Sequence, residues 1–124
     1  MPKHETTLLE RVALISWWMA HGDDVRASEI ACAYGITRAA ASLLIEHVAA
    51  IANDGRAPSG NGVERTAYVV FQIARGEAYT TREIADLCQT SRQTAYNLVV
   101  RACRVVPIYQ EGRKWQACAM GELT

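Results

Sequence analysis

A run of polar and basic side chains between residues 91 and 114 has the composition of a hydrogen-bonding surface. Arginine can donate two hydrogen bonds to guanine, and glutamine or asparagine can form two with adenine, while hydroxyl and ammonium groups suit phosphate oxygens. The candidate contact residues are Ser91, Arg92, Gln93, Thr94, Tyr96, Asn97, Arg101, Arg113 and Lys114. These residue types favour contact with double-stranded DNA, and the alternative is an ordinary solvated helix face.

Apolar residues in the same run recur at helical spacing. Ala95, Leu98, Val99 and Ala102 form a single stripe, which predicts a helix with one buried face and polar residues on its other faces. Ser91 directly precedes this helix and is typical of an N-cap, because its hydroxyl can accept a hydrogen bond from a free backbone N–H. The helix therefore presents the candidate contact residues to solvent.

Two β-prone runs follow the helix, at residues 105–109 and 114–118, around a glycine-containing turn. This pattern predicts a β-hairpin with Arg113 and Lys114 at its tip, where they suit phosphate groups or simply meet solvent. Side chains alternate along a strand, so Trp115 points away from Lys114. We expect Trp115 to fill the core beneath the hairpin rather than to stack on a base.

The chain repeats itself with an offset of 54 residues. Residues 10–51 and 64–105 align without gaps and share eleven identical positions of forty-two, including the tripeptides Glu29-Ile30-Ala31 and Glu83-Ile84-Ala85. A repeat of this length corresponds to one supersecondary unit. Each copy has the pattern of a helix, a short helix, a turn and a third helix, which predicts two helix-turn-helix modules in tandem.

The two copies differ in their predicted turns and caps. Thr80 and Glu83 have the spacing of a capping box before the short helix of the second copy, whereas Arg26 stands at the equivalent place in the first. Gly35 suits the tight bend before the third helix of the first copy, but Gln89 replaces it in the second. We expect the turn to persist in both copies.

These patterns define the expected organisation of the chain. The fold class is mainly α, with tandem helix-turn-helix modules and a C-terminal β-hairpin wing on the second. The first module spans residues 7–54, and the second, winged module spans residues 63–118. Residues 55–62 have turn residues without flanking strands, which indicates a linker or a vestigial wing.

Three segments of the second copy resemble winged helix-turn-helix regulators of the DeoR-like type. They are Arg75-Gly76, residues 79–85 (YTTREIA) and residues 91–96 (SRQTAY). The resemblance covers about half of the chain, is strongest in residues 75–118, and identifies a superfamily rather than one regulator. It implies that the third helix lies in the major groove and that the wing contacts the backbone or the minor groove.

The third helix of the first copy has a different outward face. Where the second copy has Gln93, Thr94, Asn97 and Arg101, the first has few hydrogen-bonding groups. An exposed apolar strip suits contact with another protein surface, such as a second subunit, and the alternative is burial within one compact two-module fold. The candidate protein interface consists of Trp18, Ala39, Ala40, Leu43 and His47.

The charge distribution favours the second copy as the DNA-binding part. The net charge is zero, but residues 1–60 carry five basic and seven acidic residues, whereas residues 61–124 carry eight basic and six acidic ones. Lysine and arginine on a binding face neutralise phosphates, so the excess points to residues 61–124.

The remaining composition predicts no cofactor, no metal site and no enzyme. The four cysteines are scattered without metal-ligand spacing, and we expect reduced, mostly buried thiols. No nucleophile, base and orienting group converge by spacing. Neither a signal peptide nor a transmembrane segment is predicted, so we expect a cytoplasmic protein without a membrane partner.

The sequence patterns favour two alternative functions. The first is a sequence-specific DNA-binding regulator of transcription, with the second module as reader and the first as scaffold or homodimer surface. The second is a protein-interaction adaptor or inhibitor, of the kind encoded by bacteria or phages, which binds a protein partner through winged-helix surfaces. The neutral net charge and the apolar helix of the first copy favour the adaptor.

Overall fold

The computed structural model describes residues 8–22, 24–54 and 62–118. Within these ranges the chain forms six helices and one three-stranded antiparallel sheet, which confirms the expected mainly α fold. The elements are α1 (Leu8–Ala20), α2 (Ala27–Tyr34), α3 (Arg38–Asp54), α4 (Gly62–Ala74), β1 (Tyr79–Thr80), α5 (Thr81–Leu87), α6 (Arg92–Ala102), β2 (Ile108–Glu111) and β3 (Lys114–Ala117). None of the described helices has both the length and the apolar character needed to cross a membrane.

The helices follow the offset of the sequence repeat. We call residues 8–54 the first half and residues 62–118 the second half. Helices α4, α5 and α6 each begin 54 residues after α1, α2 and α3. The third helices differ in length, because α3 continues to Asp54 whereas α6 ends at Ala102 and leaves room for the hairpin.

The ends of several elements differ slightly from the sequence-based expectation. Thr7, expected to begin the first module, lies outside the described residues, as do residues 55–61 of the predicted linker. Gly62 was assigned to that linker, but it is the first residue of α4. Gly62 faces Leu9, and an added Cβ would lie in van der Waals contact with it, 3.4 Å from both δ carbons.

Both halves have the same turn before the third helix. Gly35 and Gln89 occupy equivalent positions and both have left-handed backbone, with φ of 67° and 53°. The next residue donates its N–H back to the second helix in each half, from Ile36 to Ala31 O at 3.1 Å and from Thr90 to Ala85 O at 3.0 Å. The turn therefore keeps its geometry although the second half has Gln89 in place of the glycine that favours it.

The predicted caps have the expected geometry. Thr80 and Glu83 form a complete capping box at the start of α5, whereas the Arg26 side chain forms no cap hydrogen bond. Ser91 Oγ accepts from Thr94 N at 3.1 Å at the start of α6. The equivalent residue in the first half, Thr37, accepts from the N–H of residue 40 in the same way, also at 3.1 Å. The starts of both third helices are therefore fixed by a side-chain hydroxyl.

The hairpin is shifted along the chain relative to its prediction. Residues 105 and 106 were expected in the first strand, but they lie in the turns after α6, where the N–H of Val106 donates to Ala102 O at 3.0 Å. Residues 110 and 111 were expected in the turn and belong to β2. Gly112 has φ of 65°, which allows a two-residue turn and pairs Glu111 directly with Lys114.

The sheet contains a strand that the sequence did not predict. β1 pairs antiparallel with β3, with Tyr79 opposite Trp115 and Thr80 opposite Lys114. The strand order is β1-β3-β2, so β3 lies between the segment before α5 and the strand after α6. The sheet thereby ties the segment before α5 to the hairpin that follows α6.

Two hydrophobic cores meet along α1 and α4, which pack against each other more extensively than any other pair of described elements. Ala13 and Trp17 of α1 belong to the core of the second half, while Val12 and Ile15 belong to the core of the first. In return, α4 contributes Ala67 to the first core. The two halves therefore share one packed helix pair.

An ion pair joins the same helix pair to the end of α6. Glu10 on α1 is only 7% exposed, and its carboxylate lies 3.8 Å from the guanidinium of Arg104, which follows α6. A buried carboxylate needs such a partner, because burial strongly disfavours the isolated charge. The contact links α1 to the segment that follows α6.

The cysteines are less buried than expected. All four are free thiols, but Cys32 is exposed, Cys103 and Cys118 are half-buried, and Cys88 alone is buried. The prediction of buried thiols thus holds fully for Cys88, in part for Cys103 and Cys118, and not for Cys32, which lies on the outer face of the short helix α2. Burial raises the pKa of the Cys88 thiol to about 11, which keeps it protonated at neutral pH.

The shared turn geometry makes a reciprocal prediction about stability. Replacing Gln89→Gly should raise the free energy of unfolding by about 1 kcal/mol, because glycine adopts the left-handed region without a Cβ clash. Gly35→Gln should lower it by a similar amount. Urea denaturation of the two variants checks both signs. Equal stability of the Gln89→Gly variant and the parent chain would contradict the expectation.

Candidate nucleic-acid interface

All nine candidate contact residues are exposed. The stripe formed by Ala95, Leu98, Val99 and Ala102 is buried as expected and anchors α6 against the core. Burial of this stripe turns the polar side of α6 outward. The hairpin lies along one flank of that polar side, and the N-terminal part of α4 lies along the other.

Two hydroxyl groups at the start of α6 have different hydrogen-bonding roles. Ser91 Oγ accepts from the backbone N–H of Thr94 and donates to Thr94 Oγ1 at 3.0 Å. The Ser91 hydroxyl is thereby committed to the cap. Thr94 accepts that bond and keeps its own proton available, so Thr94 is the better candidate of the two for donation to a phosphate oxygen.

Gln93 and Asn97 form the outermost row of α6, which we call the polar crest. Gln93 Nε2 donates to Asn97 Oδ1 at 3.1 Å, one helical turn apart. The bond holds both amides in register while leaving the Gln93 carbonyl and the Asn97 amino group for an external partner. A donor and an acceptor side by side are what recognition of an adenine edge requires.

Three arginines meet where α5, α6 and the hairpin come together. They surround an open cleft of about 520 Å³ that we call the arginine cleft. It is lined by Thr80, Thr81, Arg82, Arg92, Gln110 and Arg113. Among the described residues none of this lining is acidic, so the cleft concentrates positive charge beside the polar crest.

Lys114 does not join the arginines. It pairs with Glu111 across the hairpin, and strand alternation puts both on the face opposite Gln110 and Trp115. Glu111 is engaged on that face, where its Oε1 accepts from Tyr109 and Gln116 at 3.0 and 3.1 Å. Its carboxylate is thus directed away from the arginine cleft.

Trp115 connects the hairpin to both helices of the interface. It is 6% exposed and belongs to the core of the second half, which confirms that it is a core residue. Its Nε1 donates to Thr81 Oγ1 at 3.0 Å, and its ring contacts the Tyr96 ring edge-on with 6.2 Å between centroids. Trp115 therefore sets the distance between α5, α6 and the hairpin.

The other flank of α6 faces the start of α4. Thr94, Asn97 and Arg101 line a smaller cleft of about 150 Å³ together with Gly62 and Arg65. Five of the candidate residues therefore line clefts, with Arg92 and Arg113 on the hairpin side and these three on the α4 side. Asn97 joins the α4-side cleft to the polar crest.

Arg82 belongs to the arginine cleft but was not among the candidate residues. It lies within the segment that resembles winged helix-turn-helix regulators, yet nothing in the local sequence distinguishes it from a solvated arginine in the first turn of a helix. The structure shows why Arg82 lies there, because the hydrogen bond from Trp115 to Thr81 holds the first turn of α5 next to the hairpin. The sequence gives no sign of this long-range contact.

The candidate protein interface of the first half is partly exposed. Leu43 is 66% exposed and Ala39 and His47 are exposed, so the outer face of α3 carries an apolar strip at its centre. Ala40 and Trp18 are half-buried, and Trp18 packs against both cores. The five residues thus do not form one continuous exposed surface, because Trp18 lies at the end of α1.

Within the described part of the chain, no three potential metal ligands cluster. No protein-family model, curated protein or solved structure matches the chain. The geometry of the second half therefore carries the functional interpretation.

The Trp115 contact predicts a measurable coupling between hairpin and helix. Trp115→Phe removes the indole N–H, and Thr81→Val removes its acceptor while keeping the shape of the side chain. A double-mutant cycle of the two in urea denaturation should give a coupling energy of about 1 kcal/mol, the usual value for one hydrogen bond. Strictly additive losses would show that the hydrogen bond does not hold the hairpin.

Proposed function

We propose that this protein is a sequence-specific regulator of transcription that binds double-stranded DNA through its second half. The observation that carries the proposal is the arginine cleft, in which Arg82, Arg92 and Arg113 converge from three elements beside the polar crest. Three cations gathered from distant parts of the sequence suit a polyanion, and phosphate contacts supply much of the affinity for DNA.

In this proposal the second half is a winged helix-turn-helix module. Helices α5 and α6 and the turn between them form the helix-turn-helix, and the β2–β3 hairpin is the wing. The first half is a second helix-turn-helix that has no hairpin among its described residues. The resemblance to DeoR-like regulators in residues 75–118 supports this interpretation, with α6 entering the major groove.

The side chains take separate roles along α6. Arg92, at the start of the helix, reads guanine through two hydrogen bonds, and the amides of the polar crest read adenine. Arg82, Arg113 and Thr94 contact phosphates on either side of the groove and set the register of the protein. The geometry supports this proposed division, since the crest is outermost and the cations flank it.

The proposal predicts different effects for two arginines of the same cleft. Arg92→Ala should cost about 1–3 kcal/mol on the preferred site and relax its sequence specificity, because a base contact is lost. Arg113→Ala should weaken binding to all sequences alike, because a phosphate contact is lost. Selection of bound duplexes from a random pool, followed by titrations on the selected site, measures both effects.

The repeat supplies a matched control for this experiment. Arg38 is the counterpart of Arg92 in the first half and is also exposed at the start of a third helix. Arg38→Ala should leave affinity and specificity unchanged. For the parent chain, contacts to about four phosphates give a log-log salt slope near −3.6. Absence of binding to any duplex at low salt would refute the DNA-binding proposal.

A second candidate function is protein binding through α3. Leu43 at 66% exposure stands where α6 has Asn97, so the first half presents an apolar side chain at the position of the polar crest. Such an exposed side chain favours a protein partner, and a second copy of the chain is the simplest one. This candidate covers both a homodimeric regulator and an adaptor.

Sedimentation equilibrium in the micromolar range tests the homodimer. A parent chain that pairs through α3 should show a concentration-dependent mass, and Leu43→Glu should reduce it to the monomer mass, because burying an unpaired carboxylate is strongly unfavourable. The control is Asn97→Glu at the equivalent position of α6, which should leave the mass unchanged. A monomeric parent chain would exclude self-association through α3 at these concentrations.

A further inference from the structure

Among the described residues, the first half has no paired strand before its second helix. In the second half, β1 precedes α5 and pairs with β3. Its counterparts are Val25 and Arg26, and Arg26 has extended backbone with φ of −105° and ψ of 137°. No strand of the described residues pairs with them, since the sheet consists of β1, β2 and β3 alone. The Arg26 carbonyl already accepts from the N–H groups of Glu29 and Ile30, so Val25 is the residue at which another chain can add, as β3 does at Tyr79 in the second half.

A cleft of about 400 Å³ opens directly beside this segment. We call it the tryptophan cleft, and it is lined by Trp18, Asp24, Val25, Glu29 and Ala33. The repeat explains why it is open. Val25 and Ala33 stand where the second half has Tyr79 and Leu87, so a phenol ring and an isobutyl group are missing.

Other features of the tryptophan cleft define its occupant. The half-buried indole of Trp18 stands where the second half has Gln72, so it provides an aromatic wall for an apolar or aromatic side chain. Asp24 and Glu29 make the rim acidic. Arg26 neutralises part of this charge, because its Nε lies 3.0 Å from Asp24 Oδ2. The net charge of the rim is therefore negative and suits a basic residue beside the aromatic one.

We propose that the first half binds an extended segment of a protein partner that carries an aromatic residue next to a lysine or arginine. The backbone of this segment pairs with Val25, as β3 pairs with Tyr79 in the second half. Its aromatic side chain fills the tryptophan cleft against Trp18, and its basic residue lies near Glu29. Strand addition of this kind draws affinity from the main chain and specificity from the cleft. The proposal is independent of DNA binding by the second half.

A defined peptide serves as the probe. The N-acetylated, C-amidated pentapeptide RKWQA has the sequence of residues 113–117, which contain β3, the strand that pairs with β1 in the second half. It is titrated into the full ¹⁵N-labelled chain to about 1 mM, the Kd that corresponds to about 4 kcal/mol. We expect shifts of the Trp18 indole N–H and of the amides of residues 25–33, and a several-fold weaker response to the acidic analogue EEWQA.

Two variants test whether the tryptophan cleft is the site. Val25→Tyr combined with Ala33→Leu copies the side chains of the second half and fills the cleft, so it should abolish the shift of the Trp18 indole N–H while DNA binding stays unchanged. Glu29→Lys changes only an exposed charge on α2. It should weaken the response to the RKWQA peptide several-fold, which provides a test if the double variant does not fold.

Three outcomes would overturn the proposal. The first is no shift at the highest peptide concentration, and the second is a set of shifts confined to the second half. The third is a concentration-dependent shift of the cleft residues without any peptide, abolished in the double variant. That result would identify a second copy of the chain as the occupant. A variant of the second half that loses DNA binding leaves these three outcomes unaffected, because the proposed site lies in the first half.

Discussion

The packing of α1 against α4 is the contact on which both halves depend. One flank of α1 completes the core of the second half with Ala13 and Trp17, and the other completes the core of the first with Val12 and Ile15. Burial of a large apolar side chain contributes about 1.5–3 kcal/mol, so neither core is independent of the shared pair. The position of α6 relative to the first half follows, because α6 packs on both α1 and α4.

The repeated elements could be predicted from the sequence because their determinants are local. Apolar spacing, hydroxyl caps and the Thr80–Glu83 capping box each act within one helical turn, and α5 and α6 begin where these signals predict. Gln89 marks the limit of such reasoning. A glutamine does not by itself indicate left-handed backbone. Gln89 adopts it because the N–H of Thr90 donates back to Ala85 O, as the N–H of Ile36 does to Ala31 O in the first half.

The parts that were missed depend on contacts between distant residues. β1 is two residues long and has no periodicity to detect, and it becomes a strand only because β3 lies beside it. Arg82 joins Arg92 and Arg113 for the same reason, since the Trp115 contact brings α5 to the hairpin. The exact hairpin bounds also depended on Gly112 allowing a two-residue turn, whereas the β-prone residues 105 and 106 suggested an earlier start.

The differences between the halves are linked, which is stronger support for a division of function than any one of them. A helix that reads bases needs flanking contacts to hold it in the groove, and the hairpin supplies them only in the second half. Without a hairpin, a polar crest on α3 would have little to hold its register, and Leu43 stands there instead. Among its described residues the first half has no hairpin, and Val25 lies beside an open cleft. The first half thus combines an apolar helix face with an extended segment that no described strand covers, and both suit protein contact.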